Sequence, residues 1–392
     1  MRLLFTFYDI ILATAIIAAS FVGAVDVGSC EEFAAVDRKT ETEVTITNAD
    51  FACDEYTRVS IRSDMVLKSS VGPVTFSNFS LKIYESLIVE PDVIFTRIVD
   101  VDKNGGAVKV DLSASLVFQG TAEFTGVSIL PREVDLRIYR KGGALHNKGD
   151  VTFEKYVRFE NCYNERQDGQ QTDEEGNSLY DASSGGGGAI YNHVKGTMTF
   201  LDGLNMTGNI AHSYFDANRG EGGAIFNRGD IIVDGDAYFA NNRAQEGGAI
   251  FQERWGTLEF NGGVSFVNNL CRNLRGGAIR NDGGVITLNG ASVFDDNFAS
   301  STGDGGNGGG IYNYDGGNIT FKGLSQFTSN WAWIGGAIYN REREPDGFED
   351  DEGRAYKIPI LTLSDETIFE DNFGDDCPDI AYLQSEGLVC GP

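Results

Sequence analysis

A six-residue segment recurs seven times between residues 142 and 340, and it constrains the fold more than any other feature of the chain. The segment begins with Gly-Gly, continues with Ala-Ile or a close variant, and ends in Asn or Gln. Its copies begin at Gly142, Gly187, Gly222, Gly247, Gly276, Gly308 and Gly335. Repetition at intervals of a few tens of residues is typical of solenoids, in which each unit buries its apolar residues only against its neighbours.

A second motif, Phe-x-x-Asn, follows the first at a nearly constant distance. It begins at Phe239, Phe266, Phe294, Phe327 and Phe369, with Met206 in the same place in an earlier copy. For the five copies from Gly187 to Gly308 the separations from the first Gly to the next Phe or Met are 19, 17, 19, 18 and 19 residues, whereas the return from Asn to the next Gly varies between 5 and 13. One part of each unit is therefore fixed in length, and one connection tolerates insertions.

Between the two motifs lies a segment in which apolar residues alternate with polar ones. The apolar pairs are Val151 and Phe153, Met198 and Phe200, Ile231 and Val233, Leu258 and Phe260, Ile286 and Leu288, Ile319 and Phe321, and Leu361 and Leu363. Period-two alternation predicts a β-strand with one buried face, so the intervening residues, mostly Thr, are expected to face outwards. Three short strands per rung, stacked about 4.8 Å apart, predict an all-β fold, a right-handed parallel β-helix or solenoid.

Stacking explains which residues the motifs contain. Ile and Phe are expected to form columns in the core, and the paired glycines to lie where φ is positive or where backbones approach closely. Stacked amides are expected to hydrogen-bond to each other along the axis, which avoids the cost of a buried polar group without a partner. The structural ladder of the first motif comprises Asn192, Asn227, Asn281, Asn313 and Asn340, with Gln252 at the one departure.

The two motifs together resemble the repeat of the chlamydial polymorphic outer-membrane proteins and of related β-helix proteins in the pectin-lyase-like group. The resemblance covers roughly residues 142 to 372. It implies a secreted or surface-exposed β-helix associated with adhesion. Those bacterial proteins also contain a membrane barrel. The resemblance is limited to their repeat and does not extend to the barrel.

The N-terminus predicts export. Met1-Arg2 precedes an apolar stretch from Leu3 to Ala19, and small residues before Val25 suit cleavage of a secretory signal peptide; the alternative is a retained membrane anchor. We expect a signal peptide at 1–24, an N-terminal cap with degenerate rungs at 25–141, regular β-helix repeats at 142–376, and a C-terminal cap or tail at 377–392. The mature protein is expected to be secreted or extracellular, in association with a cell surface, and without membrane contact once the signal is removed.

Export makes the six cysteines candidates for disulfides, since none has the Cys-x-x-Cys spacing of a zinc site. Cys30 with Cys53 and Cys377 with Cys390 are expected to fasten the two termini. Cys162 and Cys271 are left over. Six cysteines allow about 15 connectivities, so other pairings stay open at this point.

The charge of the chain restricts its partners. It has 58 acidic and 31 basic residues, a net charge of -27. Such a protein is repelled by nucleic acid and by anionic membrane surfaces. A polysaccharide or a cell-surface protein is therefore the expected partner, and the oligomeric state stays open.

Strand alternation in the first motif predicts a binding surface. If Ile points inwards, the next residue points outwards, and the outward residues are aromatic with one cation among them. The candidate ligand-binding column comprises His146, Tyr191, Phe226, Phe251, Arg280, Tyr312 and Tyr339. An exposed column of this kind suits stacking on sugar rings or on a protein partner. The alternative is that loops of variable length cover the rings and make them a satellite core.

No catalytic residue can be named. The three histidines, His146, His193 and His212, lie in no catalytic pattern, and no pair of acids for glycoside cleavage stands out. We therefore expect a structural or adhesive module without a cofactor or a metal. The alternative is a polysaccharide-active enzyme of the lyase or epimerase type, because the pectin-lyase-like fold also carries such activities.

Two further features remain as expectations. The insertions 164–185 and 341–354 are acidic and Gly-rich, which predicts loops and leaves a Ca²⁺ or partner site open. Asn78, Asn205 and Asn318 match the N-glycosylation acceptor pattern.

Overall fold

The computed structural model describes residues 24–36, 42–100, 105–130, 141–166, 186–213, 220–300, 306–341, 358–384 and 387–391. Nearly all of the regular structure is strand, arranged in three sheets along one axis. The strands pair in parallel except in a hairpin at the C-terminal end. The protein is therefore an all-β parallel β-helix, as the repeat predicts, and the right hand of the coil stays a prediction.

Sheet 1 contains the alternating segments and has 12 strands. They are Ala24–Val27, Thr42–Ile46, Met65–Ser69, Ser86–Val89, Ser115–Phe118, Asp150–Phe153, Thr197–Phe200, Asp230–Val233, Thr257–Phe260, Val285–Leu288, Asn318–Phe321 and Ile360–Thr362. In the regular strands the first residue of each apolar pair is buried, and the residue after it is half-buried on the outer face. The predicted alternation is confirmed.

Sheet 2 has 21 strands and takes two from each regular rung. File 2a contains the Phe of the second motif and comprises Val93–Thr96, Ala122–Thr125, Val157–Glu160, Gly203–Thr207, Asp236–Ala240, Val264–Val267, Ser292–Asp295, Ser325–Thr328 and Thr367–Glu370. File 2b contains the first motif and comprises Val108–Val110, Leu145–Asn147, Ile190–Asn192, Ile225–Asn227, Ile250–Glu253, Ile279–Asp282, Ile311–Tyr314, Ile338–Arg341, Ile380–Gln384 and Gly387–Cys390. The long strands Asp50–Ile61 and Val74–Ile83 begin the sheet and join the two files.

Sheet 3 has seven short strands on the return to the next rung. They are Val99–Asp100, Ser128–Ile129, Tyr163–Arg166, Ile210–Ser213, Arg243–Glu246, Leu270–Arg275 and Phe298–Ala299. The three strands predicted per rung thus correspond to three sheets. A regular rung has four strands, because the chain contributes two strands per rung to sheet 2, one to file 2a and one to file 2b.

The register places identical side chains above each other. Ile225, Ile250 and Ile279 occupy one continuous file, and in file 2a the rings of Phe266 and Phe294 stack with centroids 4.8 Å apart. The same files continue through the rungs before residue 142, where the full motif is lost but the apolar side chains remain buried. Burial of each such side chain contributes about 1.5–3 kcal/mol.

The paired glycines have the two roles expected of them. Gly222 has a φ of 64°, a conformation that residues with a Cβ rarely adopt. A Cβ on Gly223 would lie 2.1 Å from the carbonyl oxygen of Gly248 in the next rung. The first glycine therefore supplies the turn, and the second allows neighbouring rungs to approach.

The ends of the coil are fastened by disulfides. Cys30 is bonded to Cys53, and Cys377 to Cys390, which confirms both predicted pairs. Helix α1 (Cys30–Ala35) covers the N-terminal end and packs Phe33 against the core rings Phe51 and Phe79. At the other end the hairpin of Ile380–Gln384 and Gly387–Cys390 extends file 2b alone.

The predicted loops begin later than expected. Residues 164–166 belong to the sheet 3 strand Tyr163–Arg166, and Asn164 is buried, with Nδ2 donating to the carbonyl oxygen of Gly186 at 3.1 Å. Arg341 ends a strand of file 2b. The rest of both insertions, 167–185 and 342–354, lies outside the described residues, as does the predicted signal peptide up to residue 23.

Candidate binding surfaces

The column predicted to be an exposed binding surface is buried, so that expectation was wrong. Its seven residues do form one file along file 2b. None of them has more than 6% of its surface exposed. Tyr191 and Phe226 stack face to face with ring centroids 5.1 Å apart, and Phe226 stacks on Phe251 in the same way. These ring faces contact each other and leave no room for a sugar.

The segments that precede each Gly-Gly cover this column. A Cβ on Gly186 would lie 2.5 Å from the ring of Phe226, and the guanidinium of Arg275 lies 5.7 Å from the ring centroid of Tyr312. These residues belong to the connection whose length varies between rungs. The column is therefore a satellite core, which is the alternative left open by the sequence.

Arg280, the cation of the column, is paired within the protein. Its guanidinium forms a buried ion pair with Glu246, donates from Nη2 to Asp282 Oδ2 at 2.9 Å, and lies 4.8 Å from the ring centroid of Phe251. Removing one partner of such a pair would leave an uncompensated buried charge. Arg280 therefore has a structural role, since its donors are directed at carboxylates of the chain.

The three histidines lie in different surroundings. His146 is fully buried, and burial followed by the charges of Lys109 and Lys148 lowers its pKa well below the usual value. His193 is half-buried, and burial followed by Lys148 lowers its pKa to about 4. His212 lies in sheet 3, apart from both. His146 and His193 are thus neutral at ordinary pH.

The outer face of file 2a carries a concave surface that sequence reasoning missed. This surface, here called the tyrosine groove, has a volume of about 390 Å³ and is lined chiefly by Tyr156, Asn205, Asp236, Tyr238, Ser265 and Val293. Tyr156 and Tyr238 are exposed to 42% and 40%. The groove is open to solvent along the side of the coil.

Small residues make the groove possible. Gly203, Asp236, Gly263 and Ala291 follow each other in one file over four successive rungs, and Gly263 and Ala291 line the groove. The ring of Tyr156 lies against Gly203, where an added Cβ would be 3.4 Å from ring atom Cδ2. Tyr156 therefore lies beside the Gly203 end of this file, and Tyr238 belongs to the same strand as Asp236.

Polar groups in the groove are held in place by neighbouring residues. Asn205 Oδ1 accepts a hydrogen bond from Thr207 Oγ1 at 2.6 Å, and Asp236 Oδ1 accepts one from the backbone N–H of Gly263 at 2.8 Å. An amide and a carboxylate thus lie between two partly exposed rings. Apolar faces combined with a few fixed polar groups are typical of small-molecule sites.

The alternation of the second motif could have revealed the groove. In Ala237-Tyr238-Phe239, Phe239 is buried, so Tyr238 faces outwards as surely as the residues of the predicted column do. The outward position of Tyr238 is thus a property of the second motif itself. The concavity is not, because it depends on residues from several rungs.

The three predicted glycosylation acceptors have different surroundings. Asn205 lies in the tyrosine groove. Asn78 has a φ of 53° and donates from Nδ2 to the carbonyl oxygen of Cys53 at 3.1 Å. Asn318 begins a strand of sheet 1 and is half-buried. Modification of each stays a prediction.

A stack of three aromatic rings continues sheet 3. Phe298, Trp331 and Phe373, each the residue after the Asn of a second motif, stack with centroid distances of 4.4 Å and 5.9 Å. Both faces of Trp331 contact neighbouring rings, whereas Phe373, at the end of the stack, is 52% exposed.

The described residues include no group of three or more His, Cys, Asp or Glu side chains placed to hold a metal ion. The acidic insertions considered for Ca²⁺ lie mostly beyond this part of the chain. None of the helical segments that the structure describes is long and apolar enough to cross a membrane.

Comparison with known proteins returned no match. No family model matches the chain, and neither a curated protein nor a solved structure matches it. The resemblance to the polymorphic outer-membrane proteins therefore depends on the two motifs themselves.

Proposed function

We propose that this protein is an exported β-helix that acts as a structural or adhesive module at a cell surface and binds an uncharged glycan in the tyrosine groove. The observation that carries the proposal is the pairing of two partly exposed tyrosine rings with Asn205 and Asp236 in one concave site. The resemblance of the repeat to bacterial surface proteins supports the adhesive role.

The groove has the chemistry that a sugar requires. Ring faces of tyrosine offer apolar contact area with little side-chain entropy to lose. Amide, carboxylate and hydroxyl groups of Asn205, Asp236 and Ser265 can donate to and accept from sugar hydroxyls. A net charge of -27 disfavours uronate or sulfated chains, because like charges repel. A neutral hexose polymer is the ligand that meets both conditions.

The remaining features agree with a role outside the cell. Two disulfides are compatible with an oxidising, extracellular compartment. A coil whose rungs share continuous hydrogen bonding and a continuous core is stiff, which suits a scaffold or a stalk. Export by the N-terminal segment is part of the proposal.

A glycan-binding screen tests the proposal. The chain from Val25, produced without N-glycosylation, is expected to bind neutral glycans, and Tyr238→Ala to weaken that binding at least about tenfold, or about 1.4 kcal/mol. Phe373→Ala is the matched control, because it removes an exposed ring outside the groove. Equal binding by Tyr238→Ala and the parent would contradict the proposal.

The same screen addresses two related expectations. A glycan on Asn205 would occupy the groove, so protein glycosylated there should bind external glycans less well. A polysaccharide lyase or an epimerase, the alternative function, would leave unsaturated ends, shortened chains or altered sugars in pectin or alginate. The proposed module leaves these substrates unchanged.

A further inference from the structure

Two strands of the last rung that the structure describes are paired along one edge only. In the part of the chain that the structure describes, Ile360–Thr362 pairs only with Asn318–Phe321, and Thr367–Glu370 pairs only with Ser325–Thr328. Unpaired N–H and C=O groups on a sheet edge are a template for another strand. The hairpin at this end extends file 2b and leaves sheet 1 and file 2a open.

Apolar side chains of this rung are exposed where those of other rungs are buried. Leu361, Leu363 and Phe369 hold core positions yet are only partly buried. Their equivalents one rung earlier, Ile319, Phe321 and Phe327, are at most 2% exposed. On the outer faces Ile358, Ile360 and Ile368 are exposed to 66%, 54% and 41%. A contiguous apolar end of this kind marks an interaction surface.

Charge distinguishes between possible occupants. Residues 358–384 include seven acidic residues and no Lys or Arg: Asp365, Glu366, Glu370, Asp371, Asp375, Asp376 and Asp379. A second copy that presented the same end would bring an equal negative charge against it. Like charges across an interface are unfavourable, whereas a cationic partner gains attraction.

We propose that the C-terminal end of the coil binds a cationic polypeptide in extended conformation, which adds as a strand to the last rung. Main-chain hydrogen bonds to the open edges supply part of the affinity, and alternate apolar side chains cover Leu361 and Phe369. Lys or Arg side chains of the partner lie near the seven carboxylates. This surface is separate from the tyrosine groove and does not depend on the proposed glycan.

A defined peptide tests this inference on the full mature chain. The probe is a labelled octapeptide of alternating Lys and Val, titrated by fluorescence anisotropy. Two controls accompany it: the same peptide with two central Val replaced by Pro, which retains the charge but cannot form a continuous strand, and an octapeptide of alternating Glu and Val. The Lys-Val peptide is expected to bind at least about tenfold more tightly than either control.

Substitutions locate the site. The double change Ile360→Lys and Ile368→Lys places cations on the open rung and is expected to weaken binding of the Lys-Val peptide at least about tenfold. Ile232→Lys is the matched control, since Ile232 lies on the outer face of sheet 1 in the middle of the coil. This control is expected to bind as the parent does.

Three outcomes would overturn the inference. Equal binding of the Pro-containing peptide would show attraction by charge without strand addition. Equal binding by the Ile360→Lys, Ile368→Lys variant would place the peptide elsewhere. A dimer in sedimentation velocity that this variant abolishes would identify a second copy of the chain as the occupant.

Discussion

One corner of the coil is filled by apolar side chains near the N-terminus and by amides further along. The position three residues after the stacked Phe is Ile98 and then Val127 in the early rungs, and Asn209 and Asn242 in later ones. All four side chains are fully buried. The same turn of the same fold thus accepts two opposite chemistries.

The amides form a hydrogen-bonded ladder at this corner. Asn242 donates to Asn269 Oδ1 from both its side-chain Nδ2 and its backbone N, each at 3.0 Å. Asn242 Nδ2 also donates to the carbonyl oxygen of Met206 at 2.9 Å. The same pattern repeats through Asn297, Asn330 and Asn372. Each buried amide therefore has partners on both sides.

Cys162 closes this ladder at its N-terminal end. The backbone N of Cys162 donates to Asn209 Oδ1 at 3.0 Å, and its Sγ lies 3.5 Å from the carbonyl oxygen of Phe124. The N–H of Val127 is directed at the sulfur. Burial raises the pKa of the thiol to about 12, so it stays protonated. A cysteine left over by the disulfide pairing thus joins the apolar rungs to the amide rungs.

Interrupting the ladder is expected to have the largest effect. Asn269→Leu supplies a side chain like those of the early rungs but removes the Oδ1 acceptor of both Asn242 donors and the Nδ2 donor to Asn297 Oδ1, which keeps only the backbone N–H of residue 269. We expect a loss of about 3 kcal/mol in the free energy of unfolding, measured with urea.

Asn261→Ala is the control for this prediction. Asn261 is an exposed amide that donates to Asp234 Oδ1 on the surface, so its loss should cost less than about 0.5 kcal/mol. Equal losses for the two variants would contradict the role of the ladder.

His146→Phe also replaces a buried polar side chain by an apolar one, but this change is expected to raise the free energy of unfolding. Neither ring nitrogen of His146 has a hydrogen-bond partner among the described residues, and Phe occupies the same file in later rungs. We expect stabilisation by about 1 kcal/mol at pH 7. Destabilisation on this change would contradict the expectation, because it would show that His146 makes favourable interactions that Phe does not replace.

The same variant should reduce sensitivity to acid. The pKa of His146 is lowered in the folded state, so below about pH 6.5 the unfolded chain binds a proton that the folded chain does not, and stability falls as pH falls. His146→Phe removes this contribution and leaves that of His193, whose window extends from about 6.5 to about 4. Thermal unfolding midpoints at pH 7 and pH 5 measure the difference.

Extending the ladder by one amide is expected to have the smallest effect. Cys162→Asn places an amide between Val127 and Asn209, where a donor and an acceptor already exist. We expect a gain of up to about 1 kcal/mol in the free energy of unfolding. The matched control is Cys271→Asn. The sulfur of Cys271 also has a backbone acceptor in Gln245 and a backbone donor in Arg275, but its side chain packs against Ala299 and Ala332 and not against a file of amides, so the larger Asn should destabilise the protein.

The sequence predicts what depends on the spacing within a rung. Constant separation between the two motifs fixes the register, and with it the Ile files, the close approach at Gly223 and the amide ladders. The terminal disulfides follow from cysteines near each end. The files and ladders form because the same residue type stands at the same position of each repeat.

The sequence does not predict what depends on variable connections or on several rungs at once. Tyr191 and Phe226 face outwards from their strands as expected, but segments of unequal length cover them. The tyrosine groove includes small residues such as Gly263 and Ala291 in separate rungs. Neither coverage nor concavity is encoded in a single copy of the repeat.

Distances along sheet 1 test the stacking of rungs most directly. Thr152 and Glu259 face outwards three rungs apart, and Thr152 and Thr320 five rungs apart, in one file. With spin labels on cysteines at these positions, the account predicts separations of about 14 Å and about 24 Å, because each rung adds about 4.8 Å. Separations that do not increase with the number of rungs would contradict a continuous β-helix.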